Sequence, residues 1–355
     1  MKETVQTAVV GVTGYAGAEL ARLLLHHPRL KGKAPVFAGR VDEKDAARGG
    51  IPLAEIHPQL ADSKGHGKLA QQPFSWELLE DLGVEVLFMA TPHEQSRQWA
   101  PEALKRGIKV IDLSGAWRLD EADNRAVYKF EDEGSDVANT TQAEAVYGMP
   151  ELHRKQIAGA QLIANPGCYA TSVILPLKPL AAAGVLDVEH GIVADAKSGV
   201  SGAGKAPSAK THYMYAADNL SAYGVFGHRH MGELLEQIGL ANEQIIFTPH
   251  LLPIPRGILS TIYVHFKEVQ TRASVLKIYR DFFAASPMVR LYENGLPQIQ
   301  YVARSCYSDI GFQLDATGKR AIIVSCLDNL LKGASSQAVQ NLNILMGWNE
   351  AEGLE

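Results

Sequence analysis

One cysteine stands where a short predicted strand gives way to an apolar helix. Residues 164–171 read Ala-Asn-Pro-Gly-Cys-Tyr-Ala-Thr, with Cys168 directly after the Pro-Gly turn. A thiol at a helix N-terminus is stabilised as the thiolate, and the backbone N–H groups there can hold a developing oxyanion. Cysteines are more often buried as small apolar side chains, which is the interpretation for Cys306 and Cys326. Cys168 is therefore the predicted nucleophile.

Two histidines and a carboxylate could serve this thiol. Residues 227–233 read Gly-His-Arg-His-Met-Gly-Glu at a predicted helix start. In a helix His230 and Glu233 share a face, so Glu233 could orient that imidazole, whereas His228 joins them only if it precedes the first turn. Solvated or structural histidines are one alternative. A metal site is another, but no third ligand has a plausible local spacing and Cys-x-x-Cys is absent, so no metal is expected.

Glycines near the N-terminus predict a dinucleotide site. Residues 11–17 read Gly-Val-Thr-Gly-Tyr-Ala-Gly, between a predicted strand and a predicted helix. Glycine lets the backbone approach a pyrophosphate, and the helix N-terminus offers N–H groups and the positive end of its dipole. The pattern is a variant of G-x-G-x-x-G, so a tight turn without a ligand remains the alternative.

The residue after the second predicted strand bears on which dinucleotide binds. Val36–Ala38 is followed by Gly39 and Arg40, and Arg40 precedes Asp42. An acidic residue there would bind the ribose 2′-hydroxyl of NAD, whereas an arginine can pair with a 2′-phosphate. NADP(H) is therefore the predicted cofactor, with a solvated surface arginine as the alternative.

Further polar and cationic side chains follow strand ends or rigid turns. Ser114 and Arg118 lie in the segment that runs off a predicted strand at Lys109–Leu113, and Arg256 stands in Pro253-Ile254-Pro255-Arg256-Gly257. Ligands of open α/β sheets bind beyond the carboxyl ends of strands, and planar guanidinium groups suit phosphate or carboxylate. Taken singly, each arginine could also be a surface residue.

The predicted elements change character along the chain. The first half alternates short apolar strands with helical patterns, which is typical of βα units and a parallel sheet. The predicted strands there are Thr7–Val12, Val36–Ala38, Val84–Ala90, Lys109–Leu113 and Leu162–Ala164, and the helices are Ala16–His26, Gln98–Arg106 and Tyr169–Ala183. Beyond Gly191 the predicted strands are Ile192–Ala196, Ile245–Pro249, Thr261–Phe266 and Ala321–Cys326, and the helices are Met231–Ile238, Ala273–Ala284 and Asn329–Met346. The fold class is therefore α/β: a Rossmann-type dinucleotide-binding domain plus an α+β catalytic domain with a mixed sheet.

Composition excludes several classes of protein. The chain has 355 residues, a net charge of −5, 46% hydrophobic and 21% charged residues, the profile of an ordinary globular protein. No basic run suggests a nucleic-acid partner, and no apolar run approaches the roughly 18–20 residues that a membrane helix needs. Three cysteines without metal-ligand spacing indicate a reducing compartment, so a cytoplasmic location is expected.

With these motifs assembled, the chain resembles the N-acetyl-gamma-glutamyl-phosphate reductases, within the larger family that includes aspartate-semialdehyde dehydrogenase. The matching motifs run almost end to end: GVTGYAGAEL (11–20), HPQL (57–60), ATPH (90–93), DLSGAWRL (112–119), YGMPEL (147–152), NPGCYAT (165–171), AKSGVSGAGK (196–205), YGVFGHRHMGEL (223–234), FTPHLLPIPRGI (247–258) and DNLLKGASSQAVQNLN (328–343). Two departures are Ala170, where many members have Pro, and Met231-Gly232, where Pro or Gln often precedes the Glu. Neither removes a chemical group.

The motifs and the resemblance together imply roles for individual residues. They are catalytic for Cys168, His230, His228 and Glu233; substrate-binding for Arg118, Ser114, Arg256 and Lys197; and cofactor-binding for Gly11, Thr13, Gly14, Tyr15, Ala16, Gly17, Arg40, Ser201, Gly202 and Asn329. His230 is expected to be the acid/base and His228 to lie nearer the substrate carboxylate. Arg118 would hold the acyl phosphate. Asn329 would place the last helix back on the first domain. The expected NADP-binding domain is therefore 1–167 completed by 329–355, and the expected domain for catalysis and dimerisation is 168–328.

The implied reaction is an NADPH-dependent reductive dephosphorylation in arginine biosynthesis. N-acetyl-γ-glutamyl phosphate would become N-acetylglutamate 5-semialdehyde through a cysteine thioester, in a homodimer or homotetramer. The alternatives are the same chemistry on carrier-protein-linked aminoadipyl phosphate, in lysine biosynthesis, or on aspartyl phosphate. A more distant alternative is a non-catalytic NADPH-binding sensor, which retention of Cys168, His230 and Arg118 together disfavours.

Overall fold

The structure, a computed structural model, describes residues 3–355. They form two compact units: the first comprises residues up to Arg118, Glu131–Asn165 and Ser335–Glu355, and the second comprises Leu119–Phe130 and Pro166–Ala334. Among the helices of residues 3–355, none combines the length and apolar composition that crossing a bilayer requires.

The helices and strands are numbered along the chain. The strands are β1 (Thr7–Val10), β2 (Val36–Gly39), β3 (Ile51–Pro52), β4 (Ala70–Pro73), β5 (Val86–Met89), β6 (Lys109–Asp112), β7 (Ala145–Tyr147), β8 (Leu162–Ala164), β9 (Ile192–Gly199), β10 (Ser221–Ala222), β11 (Ile245–Leu252), β12 (Ile258–His265), β13 (Val289–Leu291), β14 (Ser308–Leu314) and β15 (Arg320–Leu327). The α-helices are α1 (Tyr15–His26), α2 (Glu43–Ala47), α3 (Leu53–Ile56), α4 (Trp76–Asp81), α5 (His93–Lys105), α6 (Ala122–Arg125), α7 (Asp136–Glu144), α8 (Pro150–Gly159), α9 (Cys168–Ala182), α10 (Tyr213–Ala216), α11 (Met231–Ile238), α12 (Arg272–Phe282), α13 (Ile299–Val302) and α14 (Ser336–Leu345).

The first unit is built on an eight-stranded sheet in the order β3-β4-β2-β1-β5-β6-β8-β7. All neighbouring pairs are parallel except β3 with β4. Strands β1 and β5 are buried on both faces, which explains their unbroken apolar sequences. The strand order reverses between β1 and β5, and ligands of such sheets bind at the carboxyl ends of the strands at that point. The glycine run begins there, directly after β1.

The last helix belongs to the first unit. Ser335 Oγ donates to the carbonyl of Ala16 at 2.8 Å, and Asn341 Nδ2 donates to that of Gly148 at 2.8 Å. Every residue of α14 is buried, including its amides, because these polar groups satisfy backbone atoms of the elements around it. The segment expected to be one helix from Asn329 begins as a π-helical turn at Leu331–Ser335, and α14 follows it.

The second unit is built on a seven-stranded mixed sheet in the order β10-β11-β9-β12-β15-β14-β13. Strand β9 is parallel to β11 and antiparallel to β12, and β12, β15 and β14 are successively antiparallel. Helix α9 packs on β9, β12 and β15 and α12 packs on α9, which covers one face of the sheet. The two sheets confirm the predicted fold class.

The division into units differs from the expected one at Leu119–Phe130, which joins the second unit instead of the first. The reason is the attachment of this segment to α11. Glu236 accepts hydrogen bonds from the backbone N–H groups of Asp120 (2.8 Å) and Glu121 (3.1 Å). Gly232 adds to this, since a Cβ there would lie 2.9 Å from Cβ of Asn124. The other boundaries shift by smaller amounts, to Asn165–Pro166 and Ala334–Ser335.

Candidate active site

Cys168 is the first residue of α9. Gly167 is the N-cap, with extended backbone angles, so the thiol lies at the end of the helix where N–H groups point outward without intrahelical partners. The rest of α9 is apolar and buried, which fixes the helix against the sheet. The dipole of α9 therefore favours negative charge at Cys168. All three cysteines lie within the described residues and are thiols rather than disulfides.

A cavity of about 690 Å³ opens at this thiol. Its walls, all from the second unit, include Cys168, Tyr169, Gly202, Lys210, Tyr223, His228, Arg229 and His230, and we call it the Cys168 cavity. A pocket of this size accommodates a small-molecule ligand, and this one is lined by a thiol, imidazoles and cations.

His230 and Glu233 meet beside the thiol. His230 is the N-cap of α11 and Glu233 lies in its first turn, with 4.0 Å between His230 Nε2 and Glu233 Oε1. Glu233 is fully buried, and its Oε2 accepts a hydrogen bond from the N–H of Gly167 at 2.9 Å. One carboxylate thus contacts both the imidazole and the turn that presents Cys168.

His228 lies before the first turn of α11, so both histidines face the cavity. Its Nδ1 accepts the N–H of His230 at 3.2 Å, and the two rings are 4.7 Å apart at their centres. Burial, assisted by the nearby charge of Arg229, lowers the pKa of His228 to about 4. The ring is therefore neutral near pH 7, and its proton lies on Nε2, which can donate to a ligand.

Tyr169, Tyr223 and Arg229 line the cavity but were not among the predicted site residues. Burial raises the pKa of Tyr223 to about 12 and that of Tyr169 above its ordinary value, so both remain phenols. Tyr169 donates to the carbonyl of His250 at 2.5 Å. The signal for Arg229 was present in the sequence, since it stands between the two histidines, but spacing alone does not reveal which way its side chain points.

Two predicted substrate-binding cations have other partners. Arg256 forms a two-point ion pair with buried Asp328, through Nε at 2.7 Å and Nη2 at 3.0 Å. Lys197 pairs with Asp195 at 2.6 Å. Neither lines the Cys168 cavity as the described residues form it. Each of these two cations therefore has an acidic neighbour in the fold, and their roles in substrate binding stay predictions.

Residues expected near the cofactor in the second unit form one connected group. Asn329 Oδ1 accepts the N–H of Gly257 at 2.7 Å, and its Nδ2 donates to Ser201 Oγ at 2.9 Å. Gly202 lines the Cys168 cavity, and a Cβ there would lie 2.8 Å from Ser198 Oγ. Asn329 thus joins the loop that carries Ser201 and Gly202 to the turn that carries Gly257.

Ser114 and Arg118 belong to the first unit. Ser114 Oγ donates to Asp112 Oδ2 at 2.8 Å, and the Ser114 N–H donates to Oδ1 at 2.9 Å. Burial raises the pKa of Asp112, and the hydrogen bonds from Ser114 oppose this increase. Arg118 is 7% exposed and its Nη2 donates to the carbonyl of Leu113 at 2.8 Å. Both predicted residues therefore lie in one short, internally bonded loop after β6.

The glycine run fits a bound dinucleotide. Gly11 has φ of +90°, and a Cβ there would lie 2.3 Å from the carbonyl oxygen of Ala90. A Cβ on Gly17 would lie 2.2 Å from the carbonyl oxygen of Gly11. Gly14 is the N-cap of α1, while Thr13 and Tyr15 are exposed beside it and Ala16 is half-buried. Because the turn lies so close to α1, a pyrophosphate can reach the N–H groups at the N-terminus of the helix.

Arg40 lies directly after β2 and is exposed. Asp42, the nearby acidic alternative, is the N-cap of α2, and its side chain accepts the N–H of Asp45 at 2.8 Å. The carboxylate is therefore used as a helix cap, and the exposed side chain at the strand end is a cation. This arrangement fits a cofactor with a 2′-phosphate.

Two family models together match most of the chain. Residues 6–160 match the semialdehyde dehydrogenase NAD binding domain, and residues 168–329 match the semialdehyde dehydrogenase dimerisation domain. The first unit is therefore an NAD(P)-binding domain.

Relatives cover nearly the whole chain. The N-acetyl-gamma-glutamyl-phosphate reductase of Desulfotalea psychrophila is 43% identical over 99% of this chain and 98% of its own length. That of Methanococcus maripaludis is 40% identical over 98% of this chain and 97% of its own length.

Solved structures of lower identity share the fold. Aspartate semialdehyde dehydrogenase II of Vibrio cholerae aligns with a TM-score of 0.71 at 18% identity, over 98% of this chain and 99% of that one. The NADP complex of the Candida albicans aspartate semialdehyde dehydrogenase aligns with a TM-score of 0.69 at 16% identity, over 97% and 99% of the two chains. With its relatives and its two matched domains, the chain belongs to the N-acetyl-gamma-glutamyl-phosphate reductases of the semialdehyde dehydrogenase family.

Proposed function

We propose that this chain reduces N-acetyl-γ-glutamyl phosphate to N-acetylglutamate 5-semialdehyde in arginine biosynthesis, with NADPH as the reductant. The observation that carries the proposal is that His230 and Glu233, at the start of α11, lie beside Cys168, at the start of α9. The relatives of this chain are named for the same reaction. The cytoplasm is the proposed location, because the chemistry needs Cys168 as a reduced thiol.

The first half of the reaction forms a thioester. His230 takes the proton of Cys168, and Glu233 beside it favours the charged imidazole. The thiolate attacks the acyl carbon, the bond from that carbon to the phosphate oxygen breaks, and phosphate leaves. N–H groups at the start of α9 can hold the oxyanion that develops on the carbonyl oxygen. Arg118 is proposed to bind the acyl phosphate, as the family resemblance implies.

The second half releases the aldehyde. When bound, NADPH supplies the hydride that brings the thioester carbonyl carbon to the aldehyde level. The same N–H groups hold the oxyanion of the tetrahedral adduct on Cys168. As the adduct collapses, the carbon–sulfur bond breaks, the aldehyde leaves and His230 returns its proton to the departing thiolate.

Groups in the Cys168 cavity suit the remote end of the substrate. Neutral His228 can donate from Nε2, while Arg229 and Lys210 supply positive charge for a carboxylate. We assign the substrate carboxylate to this set, because Arg256 and Lys197 are paired with aspartates.

The reverse reaction tests the proposal with stable reagents. We expect NADP⁺ reduction to depend on both N-acetylglutamate semialdehyde and phosphate, and Cys168→Ser to lower its rate at least about 1,000-fold because the nucleophile is lost. Cys306→Ser is the matched control and should retain the rate, since Cys306 is buried away from the cavity lining.

Two results would contradict the proposal. Phosphate-dependent turnover retained by Cys168→Ser would remove the thioester route. A folded, NADP-binding wild type without turnover would exclude the acetylated substrate and direct the assay to carrier-linked aminoadipate semialdehyde.

Arg40 gives a prediction about the cofactor. We expect Arg40→Asp to weaken NADPH binding about tenfold or more, the loss of a charge-assisted contact, while NADH binding changes little. Fluorescence titration of the reduced cofactors measures both. Lys44→Asp, the same charge change on neighbouring α2, is the control. Equal weakening of NADPH and NADH would show that Arg40 does not contact the 2′-phosphate.

We also propose that the chain forms a homodimer or homotetramer through the open face of the second sheet. Four apolar side chains, Ile246, Val193, Tyr263 and Ile322, pair across adjacent strands in one row. They are 37–44% exposed. A continuous apolar row on an uncovered sheet face is typical of a protein interface, and it lies within the matched dimerisation domain.

A further inference from the structure

Two histidines and an aspartate converge on the first unit, among residues that the proposed reaction does not use. His26 is the last residue of α1, and Asp62 and His66 lie in the segment between α3 and β4. One ligand atom from each residue lies within 4.8 Å of the other two. A single carboxylate oxygen, Asp62 Oδ2, faces both rings: it is 2.7 Å from His66 Nδ1 and 3.6 Å from His26 Nε2.

The hydrogen bonds around His26 fix which nitrogen carries its proton. His26 Nδ1 lies 2.8 Å from the carbonyl oxygen of Arg22. A carbonyl only accepts, so Nδ1 is the protonated nitrogen and the neutral ring presents a lone pair at Nε2. That lone pair faces the carboxylate oxygen of Asp62. These two acceptor atoms attract each other only when a proton or a metal ion lies between them.

The carboxylate is oriented in the same way. The other oxygen, Asp62 Oδ1, accepts the N–H groups of Lys64 at 3.0 Å and His66 at 3.2 Å. Oδ2 is thereby left for the two imidazoles. Histidine ligands of metal ions usually donate their second N–H to a carbonyl, and carboxylate ligands are usually hydrogen-bonded through their other atoms. His26 shows the first feature, and Asp62 shows the second.

We propose that His26, Asp62 and His66 form a binding site for a divalent transition-metal ion of the zinc class. Two imidazole nitrogens and one carboxylate oxygen suit Zn²⁺, whereas Ca²⁺ and Mg²⁺ prefer oxygen ligands alone. Binding would draw each donor to about 2.0–2.2 Å from the ion, with solvent completing a tetrahedral shell. The sequence pattern did not indicate the site, because His26 comes from a helix distant along the chain from the other two ligands.

The site would clamp a segment that also contacts the dinucleotide loop. His57 precedes Asp62 in this segment, and its Nε2 lies 2.8 Å from the carbonyl oxygen of Val12 in the glycine run. A bound ion would join the same segment to the far end of α1. Metal binding is therefore expected to raise the thermal stability of the protein, independently of whether the proposed reaction occurs.

Calorimetric titration with Zn²⁺ tests the site on the full chain. The protein is metal-stripped and carries Cys168→Ser, so that the thiol cannot bind zinc. We expect one equivalent of Zn²⁺ to bind. His66→Gln or His26→Gln should lower the zinc affinity at least tenfold, because even the loss of a residue that only supports a metal ligand lowers affinity by about that factor. Zn²⁺ should raise the melting temperature of the parent but not of either variant.

His190→Gln is the matched control. His190 is also an exposed imidazole paired with an aspartate, Asp187, at 2.8 Å, and it stacks on a second histidine, His265. Within residues 3–355 that trio does not form a group of three convergent ligand atoms. His190→Gln should leave zinc affinity unchanged.

Three results would overturn the proposal. They are absence of zinc binding to the parent, binding of equal affinity in His26→Gln, or equal weakening by His190→Gln. His26 is half-exposed, so its variant is expected to fold even if His66→Gln does not. None of these results depends on turnover, so failure of this site and failure of the proposed reaction are separate findings.

Discussion

Gly167 shows how closely single residues are fitted in the candidate site. Its φ is −73°, so the backbone conformation is open to any residue, and the reason for glycine is space. A Cβ there would lie 2.5 Å from His230 Nε2 and 2.8 Å from Glu233 Oε1. The missing side chain allows the turn before Cys168 to approach the imidazole and the carboxylate at once.

Gly167→Ala is therefore expected to disturb catalysis more than folding. The methyl group must displace the imidazole or the carboxylate, and displacement of catalytic groups by about 1 Å can cost about 100-fold in rate. Steady-state kinetics should show a fall in kcat/KM of that order. Gly159→Ala is the control, since nothing lies within 4 Å of its added methyl group. Full activity in Gly167→Ala would mean that His230 does not act where the structure places it.

At residue scale, the predicted residues that the fold brings together are those for which chemistry and local spacing coincide. Cys168, His230 and Glu233 were selected from a helix start and an i, i+3 pair, and the fold brings all three together. Their chemical roles stay predictions. Arg256 and Lys197 had no such local constraint, and the aspartates that pair with them are Asp328 and Asp195. The Arg256–Asp328 contact could be seen only in three dimensions.

At the scale of elements, α11 is held by its attachment to Leu119–Phe130. Glu236 of α11 accepts two backbone N–H groups of this segment and Asn124 Nδ2 at 2.8 Å. Burial raises the pKa of Glu236, and these donors oppose the increase. Val127 of the same segment lines the Cys168 cavity. One carboxylate thus connects the helix that carries Glu233 to a wall of the cavity.

Glu236→Gln should loosen this attachment. The amide has one acceptor oxygen, and its NH₂ group would face backbone donors, so we expect a loss of about 1–3 kcal/mol in stability and a raised KM. Thermal melting and steady-state kinetics measure the two effects. Glu243→Gln, an exposed glutamate on the segment after α11, is the control. An unchanged melting temperature in Glu236→Gln would show that the segment is held by other contacts.

Element prediction worked best for strands buried on both faces. Strands β1, β5 and β8 are short, largely apolar runs, and the predicted strands overlap all three. Strand β14 was missed because Asp309 and Gly311 interrupt its apolar pattern. Asp309 is nevertheless fully buried, since Arg290 pairs with it at 2.7 Å. An ion pair between two strands leaves no periodic signal in either sequence.

At the scale of the whole molecule, the uncovered row of Ile246, Val193, Tyr263 and Ile322 is the feature that the monomer leaves unexplained. Each apolar side chain is exposed beside apolar neighbours on the adjacent strands. Burial in an assembly would remove this surface from water, which is favourable by roughly 25 cal/mol per Å².

Tyr263→Lys should therefore weaken assembly. A charge in the middle of the row would have to be desolvated at the interface, while in the monomer it remains in water. Size-exclusion chromatography with light scattering should show a smaller mass or a concentration-dependent one. Tyr301→Lys, on α13 and 50% exposed, is the control. An unchanged assembly in Tyr263→Lys would place the interface elsewhere.

Features that depend on local order along the chain could be predicted without the structure. Motifs from Gly11 to Asn343 identified the family, and a cysteine at a helix start predicted the nucleophile, because a helix N-terminus and its dipole are local properties. Folding in three dimensions set which charges are paired and which segment joins which unit. It also decided which apolar side chains remain exposed and where His26 meets Asp62 and His66. Those outcomes depend on atoms that are distant in sequence and close in space, and a linear pattern carries no record of them.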